Sequence, residues 1–248
     1  MKITVVTAVR NREATVGQAI ASVACQTWPD IDHLVLDGAS SDGTLAAIEA
    51  ARHASMRLVS EPDKGIYDAL NKGFALAEGE VVGLVHSDDF LAHPRVIAQV
   101  MEAFRDPSVD AVYGDLDYVS TADASKIVRH WKSGAFRRAK LRWGWMPPHP
   151  ALFVRRRLWE QFGTYDTRFR IAADYDAILR WFGKGAARAV YIPEVLVKMR
   201  VGGESNRSLE RILRKSREDL MALRANGAGG VLALGAKNLS KLSQFIMR

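Results

Sequence analysis

Ser60-Glu61-Pro62-Asp63-Lys64-Gly65-Ile66-Tyr67-Asp68-Ala69-Leu70-Asn71-Lys72-Gly73, followed by Val81-Val82-Gly83-Leu84-Val85 and the pair Asp88-Asp89, is the stretch that decides the fold. A polar loop punctuated by Gly65 opens a helix predicted from Tyr67 to Ala77, and the apolar run after it reads as a buried strand. The carboxyl end of that strand delivers Asp88 and Asp89. In open α/β sheets, ligands bind at such strand ends. Two adjacent carboxylates repel one another there, which suits a divalent cation with oxygen ligands and a diphosphate beside it. Taken alone, the pair also fits a helix-capping turn.

Outward from this stretch the same alternation continues. Lys2 to Val9 is a β-rich apolar run, Glu13 to Gln26 has helical spacing through Val16, Ile20 and Val23, and Asp32 to Asp37 is a second strand. Gly43-Thr44 opens a helix to about Arg52, and Arg57 to Ser60 is a short strand. Pro94 suits the first turn of a helix to Phe104, and Ala111 to Tyr118 is a further strand. Strands alternating with helices predict a mostly parallel sheet with right-handed crossovers. Residues 126–148, with Arg137-Arg138, Trp143, Trp145 and Pro147-Pro148, read as a long acceptor-side connection. Arg155 to Phe162 and Asp174 to Phe182 are short helices, Ala189 to Val201 is extended, and Ser208 to Arg224 is a helix.

The 248 residues, of ordinary hydrophobic content, fit one domain with a full core. We expect a domain over 1–226 and, after the Gly227 to Gly230 break, a basic amphipathic end over 227–248. In that end Leu239, Leu242 and Ile246 share one face and Lys237 and Lys241 another, which fits either an anionic membrane surface or packing back on the domain. The only cysteine, Cys25, lies in an apolar helical pattern that suggests burial. No apolar run approaches the ~18 residues of a membrane span, and the start lacks the apolar region of a signal peptide, so cytoplasmic residence is expected. Charge is segregated: residues 1–125 carry net −10 and residues 126–248 net +17. Such a basic half faces an anionic partner, with nucleic acid, anionic lipid and a pyrophosphate-linked acceptor as candidates.

Several motifs, in order and spacing, resemble one family. They are Thr4-Val5-Val6-Thr7-Ala8-Val9-Arg10-Asn11, Leu34-Val35-Leu36-Asp37-Gly38-Ala39-Ser40-Ser41-Asp42-Gly43-Thr44, the Pro62-Asp63-Lys64-Gly65 block, and His86-Ser87-Asp88-Asp89. Ile171-Ala172-Ala173-Asp174-Tyr175-Asp176 and Gly202-Gly203-Glu204-Ser205 complete the series. Together they resemble a family-2 glycosyltransferase with the GT-A fold, of the bacterial non-processive type that builds surface polysaccharides. The implied fold is α/β, Rossmann-like, with a mostly parallel sheet flanked by helices and a helical C-terminal extension. The implied activity is inverting, metal-dependent transfer of one sugar from a nucleotide-sugar donor, commonly a UDP-sugar, to a saccharide or lipid-linked acceptor.

That chemistry distributes roles. Thr7, Val9 and Asn11 end the first strand and Asp37 the second, so they flank one crevice for nucleobase and ribose. The resemblance assigns the base to Asp37 and the ribose to Glu13, which also suits a helix N-terminus. Lys64 and Asn71 lie where cations and a helix start can meet diphosphate oxygens, whereas Lys72 suits an ion pair with Asp68. Asp88 and Asp89 are the metal candidates, with Mn²⁺ or Mg²⁺ favoured because carboxylate, phosphate and water are hard ligands. The family commonly places Asp or Asn where this chain has His86. Asp174 corresponds to the family's general base, and it also suits a helix cap. His149, between Pro148 and Pro150, resembles a family His-Gln position, and Gly202-Gly203-Glu204-Ser205 a loop near the donor. Processive relatives carry Gln-x-x-Arg-Trp; here Ala177 precedes Arg180-Trp181, and one sugar per encounter is expected.

Two other classes stand beside this reading. A nucleotidyltransferase shares the sheet and metal carboxylates but wants a glycine-rich basic loop after the first strand, which Ala8-Val9-Arg10-Asn11-Arg12-Glu13 is not. A nucleic-acid-binding surface would use Trp131, Trp143 and Trp145 among arginines. No nucleic-acid partner is expected if the family resemblance holds.

Overall fold

The computed structural model describes residues 1–201 and 209–240. Its first half runs β1 (Ile3–Val9), α1 (Val16–Ala24), β2 (Ile31–Asp37), α2 (Thr44–Ala50), β3 (Met56–Ser60), α3 (Ile66–Leu76) and β4 (Val81–Leu84). Then come β5 (Asp89–Leu91), α4 (Val96–Ala103), β6 (Ala111–Val119), β7 (Ile127–Trp131), β8 (Leu152–Arg155) and α5 (Arg156–Phe162). α6 (Ala173–Ile178), β9 (Ala189–Arg200), α7 (Leu209–Ala225) and α8 (Val231–Ser240) follow.

All nine strands of these residues join one sheet, in the order β3-β2-β1-β4-β8-β6-β9-β5, with β7 on β6. β1 pairs in parallel with β2 and β4, and β2 with β3, as the βαβ reading requires. The second half is mixed. β8 runs antiparallel to both β4 and β6, and β5 antiparallel to β9. Long β6 shares one edge between two partners, β8 at Ala111–Tyr113 and β7 at Leu116–Val119. The short strands β5 and β8 escape a sequence reading because three or four residues show no period.

α3 lies on one face of the sheet because Ala69, Leu70, Gly73 and Phe74 fall on one stripe and are buried. Gly73 sets the approach: a Cβ there would stand 2.6 Å from a Val6 methyl carbon. Phe74 then anchors an aromatic cluster with Trp159, Tyr165 and Trp181, at ring separations of 4.8, 5.4 and 6.3 Å. On the opposite face, Ile97, Val100, Met101 and Phe104 of the α4 region pack with Val5 and Val112. Each such side chain contributes about 1.5–3 kcal/mol of burial.

Three expectations change. The predicted connection at 126–148 contains β7, whose alternation is hidden by the polar pair Arg129-His130. The helix expected over Asp174 to Phe182 ends as α6 at Ile178 and widens into a π turn, Leu179–Lys184. Cys25 is exposed, because α1 stops at Ala24 and the cysteine caps it beyond the buried Val16-Ile20-Val23 stripe. Gly202-Gly203-Glu204-Ser205, Lys241, Leu242 and Ile246 lie outside the described residues.

Candidate active site

β1 and β4 lie side by side, and the amide of Val85 continues their pairing onto the Val6 carbonyl at 3.0 Å. The chain then turns at His86, whose carbonyl accepts from the Asp89 amide at 2.9 Å. This turn separates the two carboxylates. Asp88 stays partly exposed and lines a cleft of about 800 Å³, while Asp89 enters β5 with 2% exposure. Arg200 of β9 holds the turn by donating to the Asp88 carbonyl at 2.6 Å.

Asp89 Oδ1 is buried without a hydrogen-bond partner. Burial, reinforced by the neighbouring Asp88, pushes its pKa well above the usual carboxylate range against the pull of Arg200. An orphaned buried oxygen beside a second, accessible carboxylate suits a hard cation. No group of three or more His, Cys, Asp or Glu that could hold a metal occurs among the described residues. The residues present thus fit a cation whose remaining ligands are phosphate oxygens and water, the habit of Mg²⁺.

The same cleft is lined by Asp174, in the first turn of α6. The Tyr67 hydroxyl donates to the Ile171 carbonyl at 2.7 Å and lies 3.3 Å from Asp174 Oδ1. Burial and the Asp174 charge raise the Tyr67 pKa well above normal, so the hydroxyl keeps its proton. Two histidines line the cleft near these carboxylates. His86 and His149 have ring centres 5.8 Å apart, and His149 Nε2 bonds the Tyr165 hydroxyl at 2.7 Å. Burial lowers the His149 pKa to about 4 and also lowers that of His86, although Asp88 and Asp174 both pull His86 upward. Both rings are neutral near pH 7.

The crevice residues behave differently from one another. Ala8, Val9, Arg10 and Arg12 line the cleft. Thr7 does not, being fully buried with its hydroxyl 3.0 Å from His33 Nε2. Asp37 accepts from Ser60 Oγ at 2.7 Å and borders a small hollow with Asp63 and Lys72, next to the cleft. Asn11, with φ 52°, accepts from the Ser41 amide, and Glu13 accepts from the Gly43 amide at 2.7 Å. These two pin the loop after β2 to the loop after β1. Lys64 is exposed and outside the cleft lining. Asn71 departs from its expected place beside a diphosphate. Both ends of its amide bond the Tyr165 main chain, at 2.8 and 2.9 Å, and it does not line the cleft. Lys72 Nζ pairs chiefly with Glu61 at 2.8 Å, and Asp68 lies 4.0 Å away.

Sequence reasoning missed the contribution of the C-terminal helices. Lys215 and Asp219 of α7 and Lys237 of α8 line the same cleft. Lys237 Nζ lies 2.9 Å from Asp219 Oδ1 and 3.1 Å from the centre of the Tyr175 ring. Burial raises the Asp219 pKa, but Lys237 and Lys215 outweigh it and hold the carboxylate ionised. Lys215 and Asp219 are legible as an i,i+4 pair; nothing in the sequence brings Lys237 to them. α8 therefore packs back through Ala233 and Lys237, leaving Val231, Leu232 and Leu239 exposed. The three tryptophans of the nucleic-acid reading are dispersed. Trp145 packs on Phe136 and bonds the Ser133 carbonyl, Trp131 is partly covered, and Trp143 alone of the three is largely exposed.

The model of the family described as glycosyl transferase family 2 matches residues 4–174. The chain belongs to glycosyltransferase family 2. The family assignment is supported by a "PGL/p-HBAD biosynthesis glycosyltransferase" of Mycobacterium tuberculosis, to which the chain is 32% identical over 207 residues, 81% of this chain and 78% of the relative. Among solved structures, the mannosyltransferase PcManGT from Pyrobaculum calidifontis, in complex with GDP-Man and Mn²⁺, superposes with a TM-score of 0.67. It is 20% identical, over 98% of this chain and 70% of that one. TarS of S. aureus, in complex with UDP, gives a TM-score of 0.64 at 18% identity. That match covers 90% of this chain, which spans 65% of the TarS chain. These likenesses show that the family-2 glycosyltransferase has the GT-A fold, a curled mixed sheet flanked by helices.

Proposed function

We propose that this glycosyltransferase moves one sugar, with inversion, from a nucleoside-diphosphate sugar to a saccharide or lipid-linked saccharide in surface polysaccharide or glycolipid assembly. One observation carries the reading: Asp88 and Asp174, far apart in sequence, line a single cleft. Its nucleoside end is the crevice beside β1 and β2, with Arg10 and Arg12 in the cleft lining and Asp37, at the adjoining hollow, toward the base. A UDP-sugar is the favoured donor, and a solved neighbour holding UDP supports it.

Asp174 takes the proton from the acceptor hydroxyl, and Tyr67 holds that carboxylate in place. Direct displacement by the acceptor oxygen, with the nucleoside diphosphate leaving, inverts the anomeric configuration. Asp88 and Asp89 would hold Mn²⁺ or Mg²⁺, which when bound offsets the charge of the departing diphosphate. Arg200 keeps Asp88 turned toward the cleft. Neutral His86 and His149 line the space between donor and acceptor without adding charge.

The enzyme works at the cytoplasmic membrane face in this reading. No helix among the described residues is long and apolar enough to cross a membrane. Leu213, Val231, Leu232 and Leu239 are exposed on α7 and α8, in the basic half of the chain. Such a surface suits anionic lipid.

Calorimetry with a panel of nucleotide sugars, with and without Mn²⁺, tests the proposal. Metal-dependent binding of one donor, lost in Asp88→Ala, is expected. Binding that ignores both the metal and Asp88→Ala removes the metal assignment, and no binding of any nucleotide sugar removes the function.

A further inference from the structure

Four adjacent strands carry an unbroken row of side chains from the sheet's edge to the acid pair. Arg129 of β7 opposes Tyr118 of β6, Tyr118 opposes Met199 of β9, and Met199 opposes Asp89 of β5. Directly opposed residues share a face of the sheet, and all four line the cleft. Two positions along, Leu116 opposes Trp131, and both line the cleft as well. Between Arg129 and Ile127 the register slips, leaving Val128 unopposed. A bulge of this kind re-aims a side chain, and Val128, 48% exposed, lines the cleft too.

The chemistry of this ledge contrasts with the rest of the cleft. The Arg129 guanidinium lies 4.4 Å from the centre of the Tyr118 ring and 5.9 Å from that of Trp131. The guanidinium thus lies beside both rings, and around it the ledge presents aromatic and hydrocarbon surface. Burial raises the Tyr118 pKa, and Asp89 adds to the rise while Arg129 opposes it, so the phenol is uncharged. Exposed apolar residues on an edge strand, facing a catalytic cleft, fit a ligand that covers them.

We propose that Tyr118, Val128, Trp131 and Met199 form an acceptor subsite for a ring with an apolar face, such as an aryl aglycone, in preference to a hydroxyl-rich group. This inference rests on the glycosyltransferase reading above and names the acceptor chemistry of the same site. The reacting sugar sits toward Asp174, and the aglycone lies along the ledge. Trp131 is the specificity-determining residue, because a ring stacked on it gains contact that a methyl group cannot.

Phenyl and methyl glycosides of the same set of sugars test this with the full chain, metal and the donor that calorimetry identifies. At least one phenyl glycoside is expected to show a KM about tenfold below its methyl counterpart. Trp131→Ala should erase the ratio with donor KM unchanged, and Trp131→Phe should restore most of it. Val128→Ser, at a half-exposed edge position that cannot upset the core, should narrow the ratio. Equal KM values for the pair, no phenyl glycoside bound, or a Trp131→Ala effect confined to kcat would each overturn the inference. Donor binding separates the two failures: if it persists while the aryl preference is absent, only the subsite is wrong.

Discussion

The hydroxyl of Tyr67 lies 3.3 Å from the carboxylate of Asp174, joining two residues separated by 107 positions. The block that opens α3 is thereby tied to the acid that opens α6, and both stand on the wall of one cleft. With Asp174 as the base, Asp174→Asn should reduce transfer at least about 100-fold and leave donor affinity intact. Tyr67→Phe should cost about tenfold in kcat, since it removes one orienting contact. Steady-state kinetics with donor calorimetry checks both. Lost donor affinity in Asp174→Asn would move that residue to the donor side.

Asn71 offers a sharper contrast. Its amide clamps the Tyr165 main chain at both ends, so Asn71→Ala should lower unfolding stability by about 2 kcal/mol, two hydrogen bonds' worth. Donor affinity should hold. Urea denaturation and calorimetry on one preparation decide it, and a stable variant with weakened donor binding would return Asn71 to the diphosphate.

Lys237 and Asp219 form an ion pair with side chains 3% and 2% exposed. Lys237→Met leaves Asp219 with only Lys215 from this pair of cations, and about 2–4 kcal/mol of stability should be lost. Replacing Asp219 by Asn in the same chain should recover most of it, because no buried carboxylate is then left short of a counter-charge and Lys215, 25% exposed, can turn to solvent. A double variant no more stable than the single one would show that packing, not charge, holds α8.

Acid sensitivity should be set in part by His33. Its ring is fully buried between Thr7 and His53, and burial with the adjacent His53 lowers its pKa to about 3. The unfolded chain binds this proton near pH 6.5, so stability is complete above that pH and is lost as pH falls toward about 3. The slope approaches about 1.4 kcal/mol per pH unit for this one group. His33→Gln should therefore shrink the stability difference between pH 7 and pH 5 by about 2 kcal/mol in urea titrations. An unchanged difference would assign the acid limb elsewhere, with buried His149 next in line.

Much of this was legible before any coordinates. β1 through β4 and their helices follow from local periodicity, because β1, β2 and β4 are buried on both faces and each helix presents one apolar stripe. Asp88, Asp89 and Asp174 stood out through adjacency and motif order, and the structure lines one cleft with all three. The place of Lys237 was not legible, and neither was the hydrogen bonding of Asn71 to the Tyr165 main chain. β7 hid behind Arg129 and His130, whose polar side chains break the apolar run that marks a strand.

By itself the sequence determined the parallel βαβ half, the carboxylates at its strand ends, and the family, since period, turn residues and motif spacing are local properties. Only the tertiary structure decided that α8 returns a lysine to the cleft, that β7 extends the sheet into an aromatic ledge, and that Asp174 and Asp88 line one cleft. Those outcomes depend on strands and helices far apart in the chain packing together, and a buried contact between distant residues leaves no periodic trace in either segment.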